Sequence, residues 1–286
     1  MAKVAKVYDG STWQDIATNQ PDNSNYPTYT SIQFGFRNEL INGDFRINQR
    51  AYSSGSALST SDSATPLGYG YSFDRWKATT SGTFLNFASA PNGQQITISA
   101  NGSIAQVVER QNIVNGTYTL SWIGSATGRV YNVGATAPAY AASPITVSLD
   151  GTANVIVEFT AVTSPQTLNL VQLEQGGRQT SFEYRPIGVE LGLCQRYYQV
   201  FEARRLNAEG YASSAGYGYY GMIDWKVEMR VAPVVTLPTP SQTGNKTSDA
   251  ITTSTDGMTY VFSSVSAGNS YVLYNPGLKG NASAEL

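Results

Sequence analysis

The sequence contains no histidine and a single cysteine. The first absence removes Ser-His-Asp and Cys-His nucleophile systems, together with metal sites built on imidazole. The second forbids a disulfide within the chain and leaves Cys194 as a buried, inert thiol with no imidazole to activate it. Charge is scarce as well. Asp, Glu, Lys and Arg make up 13% of the residues, about half the roughly 25% of an average globular protein. The net charge of −2 offers no basic surplus to a phosphate backbone, so nucleic acid is not an expected partner. No apolar run is long enough to cross a bilayer as a helix, and the opening MAKVAKVYDG lacks the apolar core of a secretory leader. Membrane insertion is therefore not expected.

Ser, Thr, Asn, Gln and Gly take the place of the missing charge, and 19 Tyr accompany them. That composition suits an all-β protein with a neutral, hydroxyl-rich surface. An extracellular-looking surface with neither leader nor disulfides fits a particle assembled inside a cell and working outside it.

Three segments follow from the patterning. Residues 1–35 hold KVYDGSTWQDIA, a hairpin candidate turning at Asp9-Gly10 with Val7, Trp13 and Ile16 as apolar contacts, and then the polar linker QPDNSNYPTY. Residues 36–186 carry short strand signals at Glu39–Ile47, Phe73–Thr79, Phe84–Ala88, Gln95–Ala100, Ile104–Glu109, Gly116–Ile123, Arg129–Val133, Ile145–Leu149, Val155–Ala161 and Leu168–Glu174. Turn chemistry such as Asn101-Gly102, Asn115-Gly116 and Asp150-Gly151 separates them. Such spacing predicts a two-sheet antiparallel sandwich. A second extended piece, Thr180–Tyr184, leads to Pro186. Beyond it Ile187, Glu190, Leu191, Cys194 and Tyr198 recur at helical spacing, which predicts one short amphipathic helix. Residues 187–286 complete a smaller β domain with strands at Tyr197–Arg204, Gly216–Met229, Val234–Leu237, Met258–Ser263 and Tyr271–Tyr274. Pro238–Ser254 reads as a surface loop and Leu278–Leu286 as a frayed tail.

Chemistry-bearing residues are sparse. Asp44, Asp74, Glu109, Asp150, Glu158, Glu174 and Glu183 stand singly among strands and turns, positions that suit turn caps and pairs with Arg46, Arg75, Arg178 or Arg185. Glycoside hydrolysis needs two carboxylates brought to a set separation, and nothing in their spacing does that. No enzyme, no cofactor and no metal site is expected; Glu174 and Glu183 would be the residues for a structural calcium. Asp74-Arg75-Trp76 suits either a sugar platform, with Trp76 stacking and Asp74 accepting hydroxyls, or a core tryptophan beside a pair that locks a strand end. In GYASSAGYGYYGMIDW (Gly210–Trp225), Tyr, Ser and Gly interleave as in adaptable binding surfaces. Tyr211, Tyr217, Tyr219, Tyr220 and Trp225 are the glycan-binding candidates, with packing between subunits as the other use of the same rings.

NELINGDFRINQR (Asn38–Arg50), YSFDRW (Tyr71–Trp76), the GTYTLSW strand and VQLEQGGRQTSFEYRPIGVELGLCQRYY (Val171–Tyr198) together resemble a widespread group of bacteriophage virion proteins. These are tail-fibre or receptor-binding proteins whose central domain looks like a carbohydrate-binding-module jelly roll. The similarity spans roughly residues 38–200, and KVYDGSTWQDIA also looks like a segment of phage structural proteins. The resemblance implies a jelly-roll fold for residues 36–186. It further implies a homotrimer docked through residues 1–35 to a tail or baseplate protein, with residues 187–286 meeting a host polysaccharide or lipopolysaccharide. Assembly in the host cytoplasm and residence in the virion tail go with it. Ile187, Leu191, Cys194 and Tyr198 would then form an apolar face shared by three chains. A structural adaptor or decorating protein without glycan binding is the alternative.

Overall fold

The computed structural model describes residues 6–8, 13–15, 36–58, 69–90, 93–247 and 249–286. They are nearly all β, with several antiparallel sheets and one α-helix. The chain divides into two compact units, Met1–Phe36 and Arg37–Leu286. In the first, β1 (Lys6–Tyr8) and β2 (Trp13–Asp15) form an antiparallel pair with Tyr8 opposite Trp13. The Asp9-Gly10 turn, Ile16 and the linker fall outside the described residues.

The second unit begins with a sandwich of nine strands. They are β3 (Lys77–Ala78), β4 (Leu85–Ala90), β5 (Gly93–Ile98), β6 (Ser103–Val108), β7 (Gly116–Ile123), β8 (Thr127–Asn132), β9 (Ile145–Leu149), β10 (Val155–Thr160) and β11 (Gln166–Gln175). One sheet has the order β3-β6-β10-β8 and the other β4-β5-β11-β7-β9. The pairs β5·β11, β6·β10 and β7·β9 are nested and fall alternately in the two sheets, as when a long hairpin is rolled up into a jelly roll. The interior is aromatic. Trp76, Phe73, Phe45 and Phe159 are fully buried, and the Trp122 ring meets Phe159 edge-on at 5.0 Å.

Glu39–Ile47 is not a strand, although its sequence alternates. Asn42 and Phe45 sit in the left-handed region (φ 59° and 55°), which breaks extension. Side chains take over the backbone bonding that a ladder would supply. Asn38 Nδ2 donates to the Val171 carbonyl (3.0 Å), and the Gln106 amide brackets Ile41, accepting from its N–H and donating to its carbonyl at 2.8 Å each. A bulge in β11 between Asn169 and Gln172 frees Val171 for this contact. Gly43 lies so close that a Cβ there would stand 2.1 Å from the Val171 carbonyl oxygen. Thr180–Tyr184 also forms no ladder, and of Phe73–Thr79 only β3 is strand.

After Pro186 comes α1 (Ile187–Gln195), and then nine strands in three rounds. The first round is β12 (Tyr198–Glu202), β13 (Ala208–Ala212) and β14 (Gly218–Asp224). The second is β15 (Val234–Thr236), β16 (Gln242–Gly244) and β17 (Ala250–Thr253), and the third is β18 (Gly257–Ser263), β19 (Gly268–Leu273) and β20 (Lys279–Ser283). Each sheet takes one strand from every round, in the orders β12-β20-β15, β13-β19-β16 and β14-β18-β17. The third round always sits in the middle, antiparallel to both neighbours. Three short sheets thus wall one core of Phe201, Leu206, Ile223, Trp225, Met258, Tyr260, Phe262 and Val272.

Two sequence expectations fail here. The 238–254 stretch supplies β16 and β17, and the supposed tail supplies β20, the middle strand of its sheet. Small residues let it lie there. A Cβ on Gly280 would come within 2.5 Å of the Phe201 ring, so the ring rests on the bare strand.

Candidate functional site

Alternation along β13, β19 and β16 brings one set of side chains to the outer face of their sheet. Glu209 and Tyr211 point outward from β13, Asn269, Tyr271 and Leu273 from β19, and Gln242 from β16. Register places Tyr211 opposite Asn269, Glu209 opposite Tyr271, and Gln242 opposite Leu273. These six residues, with Gly210 and Ser270, line an open groove of about 520 Å³. That volume lies within the range of small-ligand sites.

Two glycines shape it. The Tyr271 ring lies across the Gly244 backbone, since a Cβ on Gly244 would stand 2.7 Å from that ring. From the inner side, Tyr219 lies against Gly210 in the same way and stacks on the core ring of Phe262 at 5.0 Å and 14°. The floor of the groove is thereby tied to the packed core, while Tyr211 is 72% exposed above it.

Glu209, Tyr211, Gln242, Asn269 and Tyr271 make no side-chain hydrogen bond or ion pair among the described residues. The seven carboxylates singled out from sequence differ. Asp44 pairs with Arg46, and Asp74 accepts from the backbone and side-chain N–H groups of Gln49. Glu109 accepts from the Tyr197 hydroxyl (2.7 Å), and Asp150 from its own turn at Thr152 (3.0 Å). Glu158 pairs with Arg129 (2.7 Å), Glu174 accepts from Thr180 N–H (2.7 Å), and Glu183 accepts from Asn38 N–H (2.9 Å). Those carboxylates are committed to the fold, whereas the groove's polar groups are free to meet a ligand.

Of the residues singled out from sequence, only Tyr211 lines the groove, with Tyr219 beneath it. Tyr217 is exposed in the turn before β14, and Tyr220 is exposed on the neighbouring β14-β18-β17 sheet. Trp225 is 8% exposed in the three-sheet core and donates to the Ser254 carbonyl (3.0 Å). Trp76 is fully buried and Asp74 points at Gln49, so neither is a sugar platform. Glu209, Gln242, Asn269 and Tyr271 were missed. Their alternation in AEGYA and GNSYVL is the signal that could have found them.

The helix face is also corrected. Cys194 and Tyr198 are buried, as is Glu190, whereas Ile187 is 52% exposed and Leu191 is half-buried. The four do not form one exposed apolar face for other chains. Tyr198 instead lies under the Arg50 guanidinium (3.6 Å), and Tyr197 lies under Arg75 (3.6 Å). Arg75 and Arg50 both pair with Glu285, and the Tyr71 hydroxyl donates to the Leu286 carbonyl (2.9 Å). Arg75, with Arg50 and Tyr71, therefore locks the sandwich to the following domain.

Electrostatics at this joint and beside it follow from burial. Burial pushes the Tyr197 hydroxyl up to about 12, opposed by Arg75 and reinforced by its hydrogen bond to Glu109. Burial likewise raises the Cys194 thiol well above its usual range. Glu39 is pushed up to about 7, mainly by burial, with Arg185 opposing and Glu183 adding. Among the described residues no cluster of three or more Cys, Asp or Glu side chains could hold a metal, and no helix is long and apolar enough to cross a membrane.

Scanned against protein-family models and against curated proteins, the chain has no match.

Proposed function

We propose that this chain is a non-enzymatic phage tail-fibre or receptor-binding protein whose β13-β19-β16 groove binds a host cell-surface glycan. The carrying observation is the set of five unengaged side chains there: two tyrosines to stack on sugar rings, and a carboxylate and two carboxamides to exchange hydrogen bonds with hydroxyls. The resemblance supports it from another side. Arg50, Arg75, Tyr197 and Tyr198 come from three of the quoted motifs and pack on one another. In this reading residues 1–35 attach to the tail or baseplate, the chain is a homotrimer in the virion tail, and avidity multiplies weak contacts.

The full-length chain should bind host cells, or their polysaccharide or lipopolysaccharide, on an array, and Tyr211→Ala should abolish that binding. If the wild-type chain binds neither, the receptor reading fails. A monomer mass by light scattering would remove the fibre and avidity arguments. A purely structural adaptor is the second reading, favoured by Tyr220 and Met222, each 67% exposed on β14, as a surface for protein contact. Loss of particle assembly without loss of glycan binding in Met222→Asp would support a structural role for that face beside the receptor role.

A further inference from the structure

We infer that the groove selects sugars without acidic substituents and that Glu209 is the selecting residue, a deepening that rests on the glycan reading above. Eight residues line the groove, and Glu209 is the one ionisable carboxylate among them; none is Lys or Arg. An acidic sugar such as a uronate or a sialylated or phosphorylated unit would bring its charge to a wall with no cation to receive it.

Cations outside the groove do not line its wall. Glu209 has no ion-pair partner among the described residues. Arg204 and Arg205, five and four residues before Glu209, are exposed on the turn ahead of β13 and do not line the groove, and Lys246, beyond β16, pairs with Asp249. A negative charge in the groove therefore faces an unneutralised carboxylate. Two like charges about 5 Å apart at a partly screened surface repel enough to cost about tenfold in affinity. The same carboxylate accepts hydrogen bonds from the vicinal hydroxyls of a neutral pyranose and attracts the ammonium of an amino sugar.

The rest of the groove agrees. Asn269 and Gln242 each offer a donor and an acceptor, and Tyr211 and Tyr271 lie on the same outer face with rings to cover the C–H face of a sugar. Carboxamides and tyrosines bind uncharged hydroxyls and N-acetyl groups without needing a charge. The expected order is amino sugar and neutral hexose together, with acidic sugar weaker by about tenfold at low salt. High salt should narrow the gap, because the Debye length shrinks to roughly 3 Å at 1 M.

The test presents the full-length protein with neutral, amino and acidic oligosaccharides on one array, using wild type, Glu209→Gln and Tyr211→Ala. Expected is wild-type binding to neutral or amino sugars, and a gain of about tenfold for acidic ones in Glu209→Gln with neutral binding kept. Wild-type binding to acidic sugars of equal strength, lost in Tyr211→Ala, would overturn charge selection while leaving glycan binding intact. If Glu209→Gln still rejected acidic sugars, the selecting role of Glu209 would be wrong. Wild type binding none of the three classes would sink both this inference and the glycan reading.

Discussion

The Glu190 carboxylate, on α1, accepts a hydrogen bond from the backbone N–H of Asn42, 148 positions earlier in the chain. Arg185 completes the link, donating to the carbonyl of Leu40 (3.1 Å) and standing 3.4 Å from Glu190. The irregular 38–47 arm is thus held by side chains from the segment that enters the helix. Glu190→Ala removes an acceptor from a buried N–H and a partner from a buried guanidinium. It should cost about 3 kcal/mol of stability. Glu190→Gln keeps an acceptor and should cost less, about 1–2 kcal/mol. Urea unfolding of the two variants beside wild type checks the order; midpoints unchanged from wild type would mean that the contact contributes little.

Arg75 and Glu285 are both nearly excluded from solvent at 2% and 3% side-chain exposure. Removing one partner strands the other. Arg75→Met alone should destabilise by about 3 kcal/mol, whereas Arg75→Met with Glu285→Leu should recover much of that loss. Arg50, which also pairs with Glu285 (2.8 Å), makes the recovery incomplete. A double-mutant cycle by denaturant unfolding measures the coupling, and simple additivity would refute it.

Glu39 gives a pH dependence with a definite sign. Its native pKa of about 7 lies above the ordinary 4.5, so the native state holds the proton more tightly than the unfolded chain. Stability from this group is complete below the ordinary value and is lost as pH rises through about 7. Glu39→Gln should therefore stabilise by on the order of 2 kcal/mol at alkaline pH, the partly exposed side chain reducing the full shift, and by almost nothing in acid. Unfolding free energies on either side of the window test it; a pH-independent gain would point to packing instead.

Ending the chain after Leu278 removes β20 from between β12 and β15. The resulting protein should lose the core around Trp225, read as a red shift and loss of protection of its fluorescence, while the sandwich keeps its own unfolding transition. A frayed tail would allow the truncation with no spectral change.

Much of the sandwich was legible because its strands alternate cleanly and end at Asn-Gly or Asp-Gly turns. Gly116–Ile123 and Ile145–Leu149 are observed with the same bounds as expected. Glu39–Ile47 misled for the opposite reason: its alternation is real, but Asn42 and Phe45 adopt left-handed backbone that composition does not announce. In the smaller domain the signal was diluted by small residues. Lys279–Ser283 has no bulky apolar side chain; Gly280 lies beneath the Phe201 ring of β12, and Ala282 is buried in the three-sheet core. The groove escaped notice because it needs β13, β19 and β16 side by side. Their register is a property of the three-round winding, which no local run of sequence encodes.

That winding also sets an order of assembly. β14 and β18 are separated by the shortest span of chain, β13 and β19 by a longer one, and β12 and β20 by the longest, so loop-closure entropy favours pairing from the inside outward. The groove lined by Glu209, Tyr211 and Tyr271 belongs to the intermediate sheet. During synthesis it would take shape after the first sheet has closed and before the last strand has locked the domain onto the sandwich. A nascent chain would carry the groove, in outline, ahead of the ion pairs of Glu285 that fix its domain to the sandwich.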